Sequence, residues 1–178
     1  KTILKQIQQI ENLVNEFSDF ARMPKPLIKN NDLIKVIDEN INLLKKLDNS
    51  INFNINNKTG KKVITNFDNE QFNRLFFNLI KNSIESIQEK VKKTNKSLKN
   101  IDIEINQRRD YITINLLDTG EGFKDKKTKD IIRPYYTTKE KGTGLGLSIV
   151  DKIINDHNGS IKFLNTNNGA KVQIILPK

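Results

Sequence analysis

Gly142, Gly144 and Gly146 stand two residues apart, directly ahead of Ser148-Ile-Val-Asp-Lys-Ile-Ile154, whose apolar period is that of a helix. Glycine lets the backbone turn through positive φ and lets another molecule come close to the main chain. The helix N-terminus that follows offers unpaired N–H groups and the positive end of a dipole, a combination suited to phosphate. Thr137, Thr138, Lys139 and Lys141 add hydroxyls and cations just upstream. The stretch reads as a phosphate lid, although glycine-rich turns that bind nothing share this spacing.

Two other groupings carry chemistry. Asn78, Asn82 and Glu85 fall at i, i+4 and i+7 of a helical pattern, with Lys81 beside them. Asparagine has poor helix propensity, so two of them one turn apart at a helix centre do nothing for stability. An Asn carbonyl oxygen is a hard ligand suited to Mg²⁺. The plainer reading is a solvated polar face in an Asn-rich chain. The other grouping, Asp118-Thr-Gly-Glu-Gly122, closes an alternating run. A carboxylate at a strand end above a glycine floor can accept a hydrogen bond from an exocyclic amine. It would favour adenine over guanine, whose carbonyl would leave a buried acceptor unpaired. A plain turn between strands has the same composition.

The elements that must position these groups are legible in part. Ile3, Ile7, Ile10, Val14, Phe17 and Ala21 form a heptad seam, widened by Leu13 and Phe20, until Pro24 and Pro26 stop the helix. That helix belongs to a bundle or folds onto its own domain. Asn31 or Asp32 caps a helix through Leu44. Ile51–Ile55 and Val63–Phe67 read as two strands joined by a turn. Asp68 and Gln71 resemble a capping box opening a helix of about 20 residues, with Phe72, Leu75, Phe76, Leu79, Ile80, Ser83 and Ile87 on one face. Ile101–Ile105 and Tyr111–Leu117 follow as strands, and Ser160–Leu164 with Ala170–Leu176 as a hairpin. His157-Asn-Gly159 looks like a helix stop, which makes His157 structural.

Composition narrows the classes. With 178 residues the chain has length for one core and a small appendage. It has no Cys and one His, which excludes disulfides and disfavours a histidine metal site. The net charge of +10 is spread without a basic stripe interleaved with aromatics, so no nucleic acid is expected as partner. No apolar run approaches the roughly 18 residues of a membrane span. Lys1 sits inside a helical pattern, so the chain reads as a piece of a longer protein.

In this order, Asn78 and Asn82 on a helix, Asp118-x-Gly120-x-Gly122 at a strand end, and Gly142-x-Gly144-x-Gly146 on a lid resemble the nucleotide-binding boxes of sensor histidine kinases. The resemblance implies an α+β fold, the two-layer α/β sandwich of the gyrase, Hsp90, histidine kinase and MutL (GHKL, Bergerat) group, with a mixed sheet and one preceding helix of a dimerisation bundle. Neither a Walker A sequence nor G-x-G-x-x-G occurs. Phe17-Ser-Asp-Phe-Ala-Arg-Met-Pro-Lys-Pro26 and Tyr136-Thr-Thr-Lys-Glu-Lys-Gly-Thr-Gly-Leu-Gly-Leu147 look like the nitrogen-regulation, NtrY-like type. Residues 1–24 would then be the second helix of the dimerisation and histidine-phosphotransfer hairpin, 25–30 a linker and 31–178 the catalytic ATP-binding domain.

By that resemblance the cofactors are ATP and Mg²⁺. Asn82 would ligate Mg²⁺, and Asn78, the one weak candidate for a catalytic role, would lie beside the triphosphate. Lys81 and Glu85 would line the same mouth. Asp118 would bind the adenine amine, with Gly120 and Gly122 beneath the base. Thr138, Lys139, Gly142, Thr143, Gly144, Leu145, Gly146 and Leu147 would close over the phosphates. The implied reaction moves the γ-phosphoryl group to a histidine and onward to a response-regulator receiver domain. The implied partners are that receiver and the chain's own phosphotransfer hairpin, as a homodimer at full length. The implied setting is the cytoplasmic portion of a bacterial inner-membrane sensor, with no direct membrane contact in this segment. A GHKL-type ATPase and a non-catalytic ATP-binding module are the alternatives; Asn78 stands where such ATPases carry a general-base Glu. Three departures mark the chain. The phosphoacceptor histidine would precede Lys1, Ile132 stands at a usual lid Phe, and Ser83 and Ser86 stand at usual alanines, a change expected to be tolerated.

Overall fold

The computed structural model describes residues 2–46, 48–58, 60, 62–94, 98–123, 128–137, 139 and 142–178. Apolar residues three and four apart wind the first segment into α1 (Thr2–Ala21). Leu13 and Phe20 of that helix turn toward the domain core. The seam residues Ile3, Ile7, Ile10, Val14 and Phe17 remain 47 to 71% exposed. Past Pro24 and Pro26 the chain is pinned, not loose. The Leu27 N–H donates to Asp68 at 2.7 Å, and the Gln71 side chain donates to the Pro24 carbonyl at 3.0 Å.

Lys29–Asp32 forms a short strand, β1, so residues 29 and 30 belong to it and not to a linker. Asp32 then caps α2 (Leu33–Lys45) by accepting from the Ile34 N–H at 3.1 Å. The two strands expected to be joined by a turn, β2 (Asn52–Asn57) and β3 (Ile64–Phe67), enter different sheets. β3 pairs antiparallel with β1, and β2 runs parallel to β4 (Asn100–Gln107). β5 (Tyr111–Asp118) follows β4, then β6 (Ser160–Asn165) and β7 (Ala170–Pro177), giving a five-stranded mixed sheet in the order β2-β4-β5-β7-β6.

Alternation along these strands sorts their side chains by face. Ile101, Ile103, Ile105, Ile112, Ile114, Val172 and Ile174 enter the core. There they join Phe72, Leu75, Phe76, Leu79 and Ile80 of α3 (Asn69–Thr94) and Ile149, Val150, Ile153 and Ile154 of α5 (Gly146–Asp156). The other face carries a polar ladder, with Asn54 donating to Asp102 at 2.8 Å and Gln173 to Asn115 at 3.1 Å. A four-residue helix, α4 (Thr128–Ile131), lies ahead of the lid. The architecture is the expected helix-covered mixed sheet.

The capping box at α3 is half formed. Asp68 accepts from the Gln71 N–H at 3.0 Å, while the Gln71 side chain goes to Pro24. The Asp68 N–H is taken by His157, whose Nε2 accepts it at 3.0 Å, which places the proton on Nδ1, facing the Ile153 carbonyl at 2.7 Å. His157 also meets Phe72 edge to face with centroids 4.8 Å apart. Asn158, at φ 55, takes the left-handed position that ends α5. His157 therefore joins the end of α5 to the start of α3, as a structural residue. His157→Ala would strand the buried Asp68 N–H and open a void, and is expected to cost about 2–4 kcal/mol in urea unfolding.

Candidate functional site

The buried face of β5 ends on Asp118, which is 7% exposed. Its Oδ1 accepts from the Gly120 N–H at 2.9 Å and the Ala170 N–H at 3.3 Å, and its Oδ2 from the Ser83 hydroxyl at 2.9 Å. Burial acts most strongly on this carboxyl and pushes its pKa above the ordinary value. The hydrogen bonds from Gly120, Ser83 and Ala170, and the nearby Lys90 ammonium, act in the opposite direction.

The loop after Asp118 is held by Lys90, which the sequence reading did not single out, and by Ser86. Lys90 of α3 donates to the carbonyls of Thr119 and Gly120 at 3.0 Å each and to that of Asn168 at 2.5 Å. The Glu121 N–H donates to Ser86 at 2.9 Å. A Cβ on Gly120 would lie 2.7 Å from that of Ser86, so glycine is needed for α3 and the loop to approach this closely. Gly169, in the β6–β7 turn, packs its backbone against Asp118 and Gly120. A cleft of about 480 Å³ opens beside this loop, lined by Lys90, Lys93, Gly120, Glu121, Asn165 and Gly169.

Toward its N-terminus from Ser86, the same helix presents Asn78, Asn82 and Glu85, all half-buried. The Lys139 ammonium reaches across from the lid, donating to Asn82 Oδ1 at 3.1 Å and pairing with the Glu85 carboxylate. Asn78 donates to the Arg74 carbonyl at 2.9 Å. Its Oδ1 abuts Gly146, where a Cβ would sit 3.1 Å away. The first turn of α5 is thus seated against the Asn-bearing stripe. Lys81 is elsewhere, exposed, with its ammonium 5.9 Å from the centroid of the Phe77 ring.

The described residues of the lid bond to one another. The Lys139 N–H donates to the Thr137 hydroxyl at 3.1 Å, and the Gly142 N–H to the Lys139 carbonyl at 3.2 Å. Gly144, at φ +72, lies where a Cβ would be 2.5 Å from the Tyr135 carbonyl carbon. Thr143 donates to Glu16, and Tyr135 stacks on Phe17 with centroids 6.3 Å apart, so α1 touches the lid at both of its ends. Leu145 is fully buried and Leu147 half-buried against the core, which makes them apolar anchors of the α5 start. Ile132 packs partly buried on the same core. Thr138 and Lys141 lie outside the described residues.

This arrangement suits a nucleoside triphosphate. Asn82 and Glu85 converge two hard oxygens on one ammonium, so the spot accepts a cation. Among the described residues no cluster of three or more His, Cys, Asp or Glu could hold a metal unaided. A Mg²⁺ here would draw its remaining ligands from phosphate and water, as is usual for that ion.

Residues 67–178 match the family described as histidine kinase-, DNA gyrase B- and HSP90-like ATPases. The nitrogen regulation protein NtrY of Azorhizobium caulinodans is 32% identical over 175 residues, which is 98% of this chain and 22% of that protein. The solved catalytic domain of the histidine kinase ThkA is 26% identical, covers 85% of this chain and 97% of its own, and superposes with a TM-score of 0.72. ThkA in complex with the response regulator TrrA is 24% identical over 99% of this chain and 49% of that one, with a TM-score of 0.77, a likeness of fold. The chain spans about a fifth of the length of the NtrY relative. Since the matched residues make up more than half of its length, the chain belongs to the histidine kinase-, DNA gyrase B- and HSP90-like ATPase family.

Proposed function

We propose that this chain is the catalytic core of a sensor histidine kinase that binds Mg-ATP and passes the γ-phosphoryl group to a histidine on a phosphotransfer hairpin, for relay to a response-regulator receiver. The observation that carries this reading is the convergence on α3 of three groups. These are Asp118 through Ser83, the Lys139 cation through Asn82 and Glu85, and the uncapped start of α5 through Asn78. Base, metal and phosphate sites held on one rigid element would be positioned together, which supports the reading.

In this reading Asp118 accepts the adenine amine, Gly120 and Gly122 floor the base, and Asn82 with Glu85 holds the metal. Lys139 exchanges its oxygen partners for phosphate, and the N–H groups at Gly146 and Leu147 face the triphosphate. The bound Mg²⁺ offsets phosphate charge, and positioning supplies most of the rate. Residues 1–24 would contribute the second hairpin helix, whose exposed seam awaits its mate, and residues 31–178 the ATP-binding domain. The whole protein would be a homodimeric inner-membrane sensor with this part in the cytoplasm. No helix among the described residues is long and apolar enough to cross a membrane.

The test is a titration of fluorescent ATP, competed with ATP and GTP, with and without Mg²⁺. A histidine-bearing hairpin is then added in trans with γ-labelled ATP. Mg²⁺-dependent binding that ATP displaces and GTP does not, followed by acid-labile label on the hairpin, is the expected result. Absence of nucleotide binding would overturn the reading.

A further inference from the structure

Ser83 stands on the buried face of α3, 4% exposed, where the resemblance expects an alanine. A serine hydroxyl has one proton and two lone pairs, and each carboxylate oxygen has two lone-pair directions. Ser83 gives its proton to Asp118 Oδ2 at 2.9 Å. Both directions on Oδ1 are filled by the Gly120 and Ala170 N–H groups. What remains at this wall is one lone pair on Asp118 Oδ2 and the lone pairs of Ser83. The wall accepts hydrogen bonds and donates none.

We propose that Ser83 is a specificity-determining residue, which by committing its proton to Asp118 makes the base pocket acceptor-only and so selects a 6-amino purine over a 6-oxo purine. This rests on the nucleotide reading above. A buried carboxyl readily takes up a proton, and a protonated Asp118 would donate to a 6-oxo oxygen and so welcome the wrong base. The Ser83 bond favours the ionised form and works against that event. The charged side chain acting with it is Lys90, whose ammonium is directed at the Thr119, Gly120 and Asn168 carbonyls. The serine one turn on, Ser86, has another task, since its oxygen accepts from the Glu121 N–H and fixes the loop.

The experiment measures equilibrium binding of Mg-ATP and Mg-ITP to the wild-type chain, Ser83→Ala, Ser83→Thr and Asp118→Asn across pH. ITP carries the 6-oxo group without the 2-amino group of guanine and isolates the position in question. Ser83→Ala is expected to reduce the ATP-to-ITP affinity ratio by about tenfold, the effect of one hydrogen bond to a charged group. The pH below which ATP binding is lost should move upward in Ser83→Ala, and Ser83→Thr, which keeps the hydroxyl, should restore both. An unchanged ratio and pH midpoint in Ser83→Ala, with Asp118→Asn still abolishing ATP binding, would reduce Ser83 to a packing residue and leave the nucleotide site standing. A wild-type chain that binds neither nucleotide would overturn the nucleotide reading together with this one.

Discussion

Asp118→Asn is expected to weaken ATP binding by about 100-fold, equivalent to about 3 kcal/mol, while leaving the fold as stable as before or more so. The two effects have opposite signs because the carboxylate serves the ligand at the expense of the fold. Its folded-state pKa lies above the unfolded value, since burial acts on it more strongly than its hydrogen bonds do. The stability associated with this group is therefore fully present below the unfolded value of 3.8, and is lost as pH rises through the folded one. Nucleotide binding runs the other way, because protonation removes the acceptor, so affinity falls as pH drops through the same raised value. Asparagine keeps an oxygen for the Gly120 and Ala170 N–H groups and removes the buried charge. Isothermal titration paired with thermal melts at several pH values checks all of this. A variant that binds ATP as tightly as wild type would contradict the assignment of Asp118.

The second large effect is expected at Gly169→Ala. The added Cβ would overlap the Asp118 carbonyl oxygen and come within 2.8 Å of the Gly120 nitrogen. Both are main-chain atoms, so no rotamer change relieves the clash. The turn is held by Thr166 and Gly169, which exchange hydrogen bonds at 2.8 and 3.0 Å, and by Lys90 on the Asn168 carbonyl. The clash is relieved only if the turn and the Asp118 loop move apart. A loss of about 2 kcal/mol, or about 6 °C in Tm, is expected from overpacking of this kind. It should be accompanied by weakened nucleotide binding, because the displaced segment carries the Gly120 N–H that orients Asp118. Chemical denaturation and the same titration measure the two together. Intact stability with normal binding would show that the turn gives way more easily than its hydrogen bonds imply.

The sequence spoke clearly where a periodic pattern and a local signal agreed. The apolar face from Phe72 to Ile87 predicts α3, and the same wheel sets Asn78, Asn82 and Glu85 on a separate stripe, as observed. The alternation from Ile101 to Leu117 likewise gives β4 and β5 with Asp118 at the end. Contacts between distant segments were invisible. Lys29–Asp32 has no apolar alternation, and its partner strand lies about 35 residues on, so β1 and the small sheet left no local trace. Ser83 could be assigned to the buried face, but nothing in its own helix tells that its hydroxyl meets Asp118, 35 positions away. The two serines, a change expected to be tolerated, take part in a hydrogen bond from one and to the other. Gly169 reads as an ordinary turn glycine until the Asp118 backbone is found beside it. Lys81, adjacent to the stripe on the wheel, turns instead to Phe77 on its own helix.

Helix α5 begins at Leu145 with no side chain to cap it, unlike α2 with Asp32. A helix start of this kind has N–H groups whose partner must come from outside the helix, and it frays when none does. A phosphate placed there supplies from solution what Ser, Thr or Asp supplies elsewhere from the chain. The nucleotide would then be part of the secondary structure, and the order of the lid would follow its concentration. Occupancy at a hundredfold excess over Kd adds about 2.7 kcal/mol to the folded state. Since Thr143 and Tyr135 also touch Glu16 and Phe17, that gain in order would extend to α1. The loaded and unloaded domains would thus differ in how firmly they grip α1.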